Sequence, residues 1–225
     1  MPYNLEEQES IDNLKGWWEK WGTPVMAAVT VVCLGVAGWN GWKWYQHRQT
    51  AQASVAYSAL QAAIANKDVK NVKSLSDGLT DKYGSTVFGP LAAFAAARVA
   101  ADEGDRATAI EKLRWVAEKA GREEFEAIAR VRLAGLLMDD GKTDEALKSL
   151  EGFKAKSDGE TAIVQDRLGD VYQALGRAED AKKAWQAALD ATQKGEPFEQ
   201  LLQLKLDSLP EAEASAPAAS SPAAG

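Results

Sequence analysis

Arg167-Leu168-Gly169-Asp170-Val171-Tyr172-Gln173-Ala174-Leu175-Gly176-Arg177-Ala178-Glu179-Asp180-Ala181-Lys182-Lys183-Ala184-Trp185-Gln186-Ala187-Ala188-Leu189 reads as two short helices joined by a turn. Leu168 and Tyr172 stand four residues apart and so share a face of the first helix. Gly169 and Ala181 are small where two antiparallel helices must cross, and Gly176 permits the turn between them. Trp185, Ala188 and Leu189 form the buried stripe of the second helix.

A helical pair of this size buries its apolar face only against neighbours, which makes a fixed period the next thing to seek. The marker Gly-x-x-x-x-Ala recurs at Gly104 to Ala109, Gly141 to Ala146 and Gly176 to Ala181, at glycine intervals of 37 and 35 residues. The unit resembles the tetratricopeptide repeat, whose period is about 34 residues. In the middle unit Leu133, Ala134, Leu137, Leu150 and Phe153 take the core positions; in the first, Ala97, Ala100, Leu113 and Val116 do. Three such units stack into a continuous core. Residues 49–84 read as an atypical entry pair, with Val55, Tyr57, Leu60 and Ile64 on one helix and Val72, Leu75 and Leu79 on the other. Beyond the break at Gly195-Glu196-Pro197, the stretch carrying Leu201, Leu202, Leu204, Leu206 and Leu209 reads as a capping helix that closes the repeat domain, 49–209. From Pro210 the chain is Pro, Ala, Ser, Glu and Gly, and residues 210–225 are expected to be disordered.

Upstream the pattern changes from periodic to uniformly apolar. Residues 21–42 carry no charge, and at about 1.5 Å per residue they span roughly 33 Å, the thickness of a bilayer core. Trp17, Trp18 and Trp21 flank one end and Trp39, Trp42, Trp44 and Tyr45 the other, matching the two headgroup levels. A core helix of a soluble protein needs no such girdles. A cleavable signal peptide needs a short basic leader, whereas Glu6, Glu7, Glu9, Asp12 and Glu19 precede this run. The expectation is a retained transmembrane helix over 21–44, in contact with membrane lipid, preceded by a peptide over 1–20. Direction stays open, since Lys15 and Lys20 on one side balance Lys43 and Arg48 on the other. Within the span Cys33, Ala37 and Gly41 recur at i, i+4 spacing beside Gly38 and Asn40, a pattern that suits packing against a second membrane helix.

The fold class expected is therefore all-α: one N-terminal transmembrane helix followed by a tetratricopeptide-repeat α-solenoid. A net charge of −7 argues against nucleic acid. His47 is the single histidine and Cys33 the single cysteine, which leaves no zinc motif and no imidazole pair for acid–base work. Neither a phosphate-binding Gly-rich loop nor a Gly-x-Ser-x-Gly elbow is present, and acid pairs such as Glu123-Glu124 and Asp139-Asp140 fit solvated helix surfaces. No catalytic, cofactor or metal site is expected, and the protein is not expected to be an enzyme.

Repeats of this kind bind through the wall made by the first helix of each unit. In the register above that wall exposes Leu91, Phe94 and Arg98, then Ile128, Val131 and Met138, then Ile163, Asp166, Asp170 and Gln173. It is expected to be apolar in its upper part and acidic in its lower part. With Arg98 as the one basic residue of the set, capture of acidic tails is not expected, and extended or helical apolar segments suit it better.

The order of parts carries a wider resemblance. Glu9-Ser10-Ile11-Asp12-Asn13-Leu14-Lys15, Trp17-Trp18, a Gly-rich span, Trp42-Lys43-Trp44-Tyr45, the repeats, and a closing Leu201-Leu202-Gln203-Leu204-Lys205-Leu206-Asp207-Ser208-Leu209 together resemble the YfgM family of bacterial inner-membrane proteins, from about Gln8 to Leu209. The resemblance implies a cytoplasmic N-terminus and a periplasmic repeat domain. It also implies an ancillary subunit of the Sec translocon that works beside a membrane-anchored prolyl-isomerase-like chaperone and helps hand unfolded secretory proteins to periplasmic chaperones. Two other readings stay open: a regulatory tether whose residues 1–20 hold a cytoplasmic signalling protein, and a scaffold of another envelope complex.

Overall fold

The computed structural model describes residues 5–209. The expected disordered tail, 210–225, lies outside the described residues. Nine helices follow one another among the described residues: α1 (Leu5–Ala65), α2 (Val69–Tyr83), α3 (Phe88–Asp102), α4 (Arg106–Glu118), α5 (Glu123–Asp139), α6 (Thr143–Glu151), α7 (Asp158–Ala174), α8 (Ala178–Asp190) and α9 (Pro197–Asp207). The chain divides into two compact units between Gln52 and Ala53.

In the first unit the apolar run is an interior stretch of α1, a 61-residue helix. Val31, Val32, Leu34, Val36 and Trp39 stand exposed around it, as do Trp17, Trp18 and Trp21 before it and Trp42, Trp44 and Tyr45 after it. A helix apolar on every side and uncovered by protein requires an apolar surrounding. It is also the one described helix long and apolar enough to cross a membrane. Lys43 lies over the Trp39 ring and Arg48 over the Trp44 ring, each 5.4 Å from the centroid, so both cations sit among the aromatic side chains bordering the run.

The second unit is a row of helical hairpins, and its turns explain the period. At the end of α3, Asp105 N–H donates to Ala100 O (2.8 Å) and Gly104 N–H to Ala101 O (3.0 Å). The same two bonds recur from Lys142 to Leu137 and Gly141 to Met138, and from Arg177 to Tyr172 and Gly176 to Gln173. Each turn needs a left-handed residue, and Gly104, Gly141 and Gly176 supply it at φ 80°, 74° and 73°. A fourth copy stands before them: Asp68 N–H reaches Ala63 O, Lys67 N–H reaches Ile64 O, and Lys67 itself sits at φ 54°. The entry pair is thus the same hairpin with lysine in the glycine slot. Asp68 caps α2 through Asn71 N–H as Asp105 caps α4 through Thr108 N–H, at 3.1 Å each.

Burial follows the expected stripes with three exceptions, Val55, Leu201 and Leu204. Ala97, Ala100, Ala109, Leu113, Leu133, Ala134, Leu137, Ala146, Leu150, Leu168 and Val171 form one core, with Phe153 and Tyr172 packed on it. Ala53, Leu60 and Ala63 join Val72, Leu79, Ala92 and Ala96 in another, with Tyr57, Ile64 and Leu75 at its edge. Val55, expected on that core, is 74% exposed, because it lies on the opposite side of α1 from Ala53 and Leu60. Between hairpins, Lys112 Nζ donates to Asp77 Oδ1 at 2.5 Å and Ser76 Oγ to Ala92 O at 3.1 Å, joining α4 to α2 and α2 to α3. α9 closes the row: Leu202 is fully buried with Trp185 and Ala188, while Phe198, Leu206 and Leu209 pack around them. Leu201 and Leu204, read as part of the same stripe, face outward.

Candidate protein-binding cleft

The first helices of the three repeats, α3, α5 and α7, border a cleft of about 400 Å³. Helical spacing puts Phe94, Ala97, Arg98 and Ala101 on its α3 side and Val131, Arg132, Gly135, Leu136 and Asp139 on its α5 side. Leu113 of α4 forms part of the floor, and Arg167 reaches in from α7. Leu113 is buried while Arg98, Arg132 and Asp139 are exposed and Arg167 is half-buried, so an extended chain could bury side chains while its polar groups stay near water. Arg132 lies over the Phe94 ring at 5.1 Å, and Phe94 meets Phe125 edge-on at 6.1 Å. Stacking therefore holds both the aromatic wall and one guanidinium in place.

The expected wall residues separate into four groups. Phe94, Arg98 and Val131 line the cleft. Met138 and Ile163 are partly buried against the repeat core. Leu91 is half-buried on α3, and Ile128 and Gln173 are exposed, all outside the lining. Asp166 and Asp170 belong to a different arrangement: Lys205 Nζ of α9 donates to Asp166 Oδ1 at 2.5 Å and to Asp170 Oδ1 at 2.6 Å. The acidic lower wall is thus paired with Lys205 of the chain's own closing helix and, at Asp170, with Arg167 as well. Burial pushes the Asp166 carboxyl above the usual aspartate range, with the bond from Lys205 opposing and the Asp170 charge adding to the rise.

One premise is corrected. Arg98 is not the lone basic group, for Arg132 and Arg167 stand in the same cleft. The helical register that selected Ile128 and Val131, three residues apart, passed over Arg132 next along α5, and the register that selected Ile163, Asp166 and Asp170 passed over Arg167 on α7. The signal was present in the arginine that follows Val131 and in the one that opens the quoted repeat. No group of three or more His, Cys, Asp or Glu suited to a metal ion occurs among the described residues. On α1, Cys33 is exposed and free, Ala37 is exposed, and Gly38 and Gly41 have open space where a Cβ would be.

A family model described as a tetratricopeptide repeat-like domain matches residues 15–211. The chain belongs to this tetratricopeptide repeat-like family. The match takes in the apolar helix as well as the hairpins, so the family's unit is the whole arrangement and not the repeats alone. Among curated proteins the chain is 26% identical over 211 residues to one of Aggregatibacter actinomycetemcomitans, covering 93% of this chain and all of that one. It is 28% identical over 210 residues to one of Neisseria gonorrhoeae and 28% over 211 residues to one of Haemophilus influenzae, with the same coverage. All three carry the name Ancillary SecYEG translocon subunit. The YfgM resemblance drawn from the order of motifs is borne out, as is the all-helical repeat fold.

Proposed function

We propose that this protein is a non-catalytic accessory of the Sec translocon, anchored in the inner membrane by the apolar part of α1 and receiving translocated chains in its repeat region. The observation that carries this reading is coverage: proteins named as translocon subunits match over their whole length and over 93% of this chain, through both the apolar helix and the repeats. In this reading residues 1–20 are cytoplasmic, 21–44 span the bilayer, 49–209 lie in the periplasm, and 210–225 form a tail. A membrane-anchored prolyl-isomerase-like chaperone is the neighbour to which secretory proteins pass. The cleft supports the binding half of the proposal, since its apolar floor suits unfolded segments.

A photocrosslinking residue at Phe94, introduced into the full chain in native membranes, is expected to recover translocon subunits and secretory chains. Recovery of neither sinks the proposal. Reporter fusions after Asn13 and after Leu209 test the topology, with only the second expected to report from the periplasm.

A further inference from the structure

We propose that the cleft bordered by α3, α5 and α7 selects an extended apolar segment that carries an internal Asp or Glu, whose carboxylate is held among Arg98, Arg132 and Arg167. This rests on the reading that the repeat region receives polypeptide, and it adds the chemistry of what is received. The chain as a whole is acidic, at −7, yet three arginines line this cleft against one lining carboxylate, Asp139, with Asp102 and Asp170 pairing Arg98 and Arg167 from outside the lining. Such local inversion of charge is an electrostatic preference for an anion.

Each of the three arginines keeps N–H groups beyond those its contacts within the protein use. Arg167 Nη1 donates to Asp170 Oδ2 at 3.3 Å, the oxygen that Lys205 does not use, while Arg167 Nε is buried without a hydrogen-bond partner. A buried donor without an acceptor is rare in a folded protein. Gly135 leaves the cleft open beside it, since a Cβ there would lie 3.9 Å from Arg167 Cζ. Arg132 uses its face on Phe94, which leaves its N–H edges for an acceptor. Arg98 has only a 3.8 Å ion pair with Asp102, both side chains being largely exposed, and such pairs are weak. Among the described residues the other buried nitrogen without a partner is Arg122 Nε, and it sits differently: Arg122 Nη2 pairs with Glu124 at 2.7 Å, and Glu118, Glu123 and Glu126 stand with Arg130 around its cavity.

A carboxylate matches this setting because it accepts two N–H bonds side by side from one guanidinium, and charge-assisted bonds of that kind are the strong ones. Its source is a side chain within the segment and not a chain end. The arginines stand on three successive first helices around an apolar floor, so a backbone crossing the helices keeps apolar side chains on both sides of the carboxylate over Phe94, Val131 and Leu136.

The test uses the full chain in nanodiscs and a fluorescent peptide with blocked termini, apolar except for one central Glu, beside its Gln counterpart. The Glu peptide is expected to bind about ten-fold more tightly than the Gln peptide. Arg98→Gln with Arg132→Gln, both at exposed positions, is expected to abolish that preference at unchanged helical content, and Arg132→Lys to restore part of it. Equal binding of the two peptides, binding of neither, or a preference that survives the double substitution overturns the inference. So does a Gln peptide with a free C-terminus that binds as tightly as the blocked Glu peptide. Co-purification of translocon subunits with the unaltered protein is measured separately. If it persists while the peptide preference is absent, this inference alone fails; if it is lost, the broader reading fails.

Discussion

Lys67 stands where every later repeat has glycine, and a non-glycine residue in the left-handed region strains its backbone. Lys67→Gly is expected to stabilise the protein by about 0.5–1 kcal/mol, net of the entropy that glycine adds to the unfolded chain, readable as a higher denaturant midpoint at constant slope. The opposite is expected at Gly169. A Cβ there would come within 2.3 Å of Trp185 Cδ1 and Nε1, and that indole is pinned by its bond to Asp166 O at 3.1 Å. Gly169→Ala should destabilise by roughly 1–3 kcal/mol in thermal unfolding, since the ring has no room to withdraw. A third expectation concerns acid. Asp105 is held below the ordinary aspartate value of 3.8, first by the Thr108 hydroxyl and then by the Thr108 backbone N–H. The unfolded chain therefore takes up the proton more readily, so stability falls as pH drops through about 4 and below. Asp105→Asn keeps a capping side chain that does not titrate, and it should flatten this part of the acid limb of a stability–pH curve.

α9 behaves as the cap that a repeat row needs, through Leu202 buried on Trp185 and through Lys205 bridging Asp166 and Asp170. Lys205→Met keeps the apolar stem but leaves Asp166 without its cation and Asp170 with Arg167 alone, at an expected cost of about 2 kcal/mol at neutral pH. The sign with pH is defined. Asp166 already has a raised folded-state value, so its ionisation in the folded protein costs stability as pH rises past the usual aspartate range. Without Lys205 the value rises further, and the deficit of the variant should shrink as acid neutralises Asp166. A deficit independent of pH would mean that lost packing, and not unpaired charge, is responsible.

For the chain as a whole, the proposal assigns the two units different solvents. The fragment 49–209 is expected to stay in solution without detergent and to unfold in one cooperative transition, because its hairpins share contiguous cores. The full chain should stay with membranes after alkaline extraction. A fragment that aggregates unless detergent is present would show that the repeat region, too, has an unmet apolar surface.

Much of this architecture was legible in the residues because it rests on local rules. Gly104, Gly141 and Gly176 announce their turns since only glycine reaches that backbone region without strain, and the apolar run announces itself by length and by its tryptophans. The entry hairpin was half hidden, as Lys67 adopts the glycine conformation without the glycine. The cleft was hidden further. Arg132 and Arg167 lie on different helices, 35 positions apart in sequence, and whether each points at core, solvent or cleft depends on how α5 and α7 pack together. Asp166 and Asp170 read as an acidic wall until α9 brings Lys205 against them, 39 and 35 residues away. Helices, turns and span follow from neighbours along the chain, whereas the charge that the cleft presents is set by which distant side chains packing brings together and which of them it leaves without a partner.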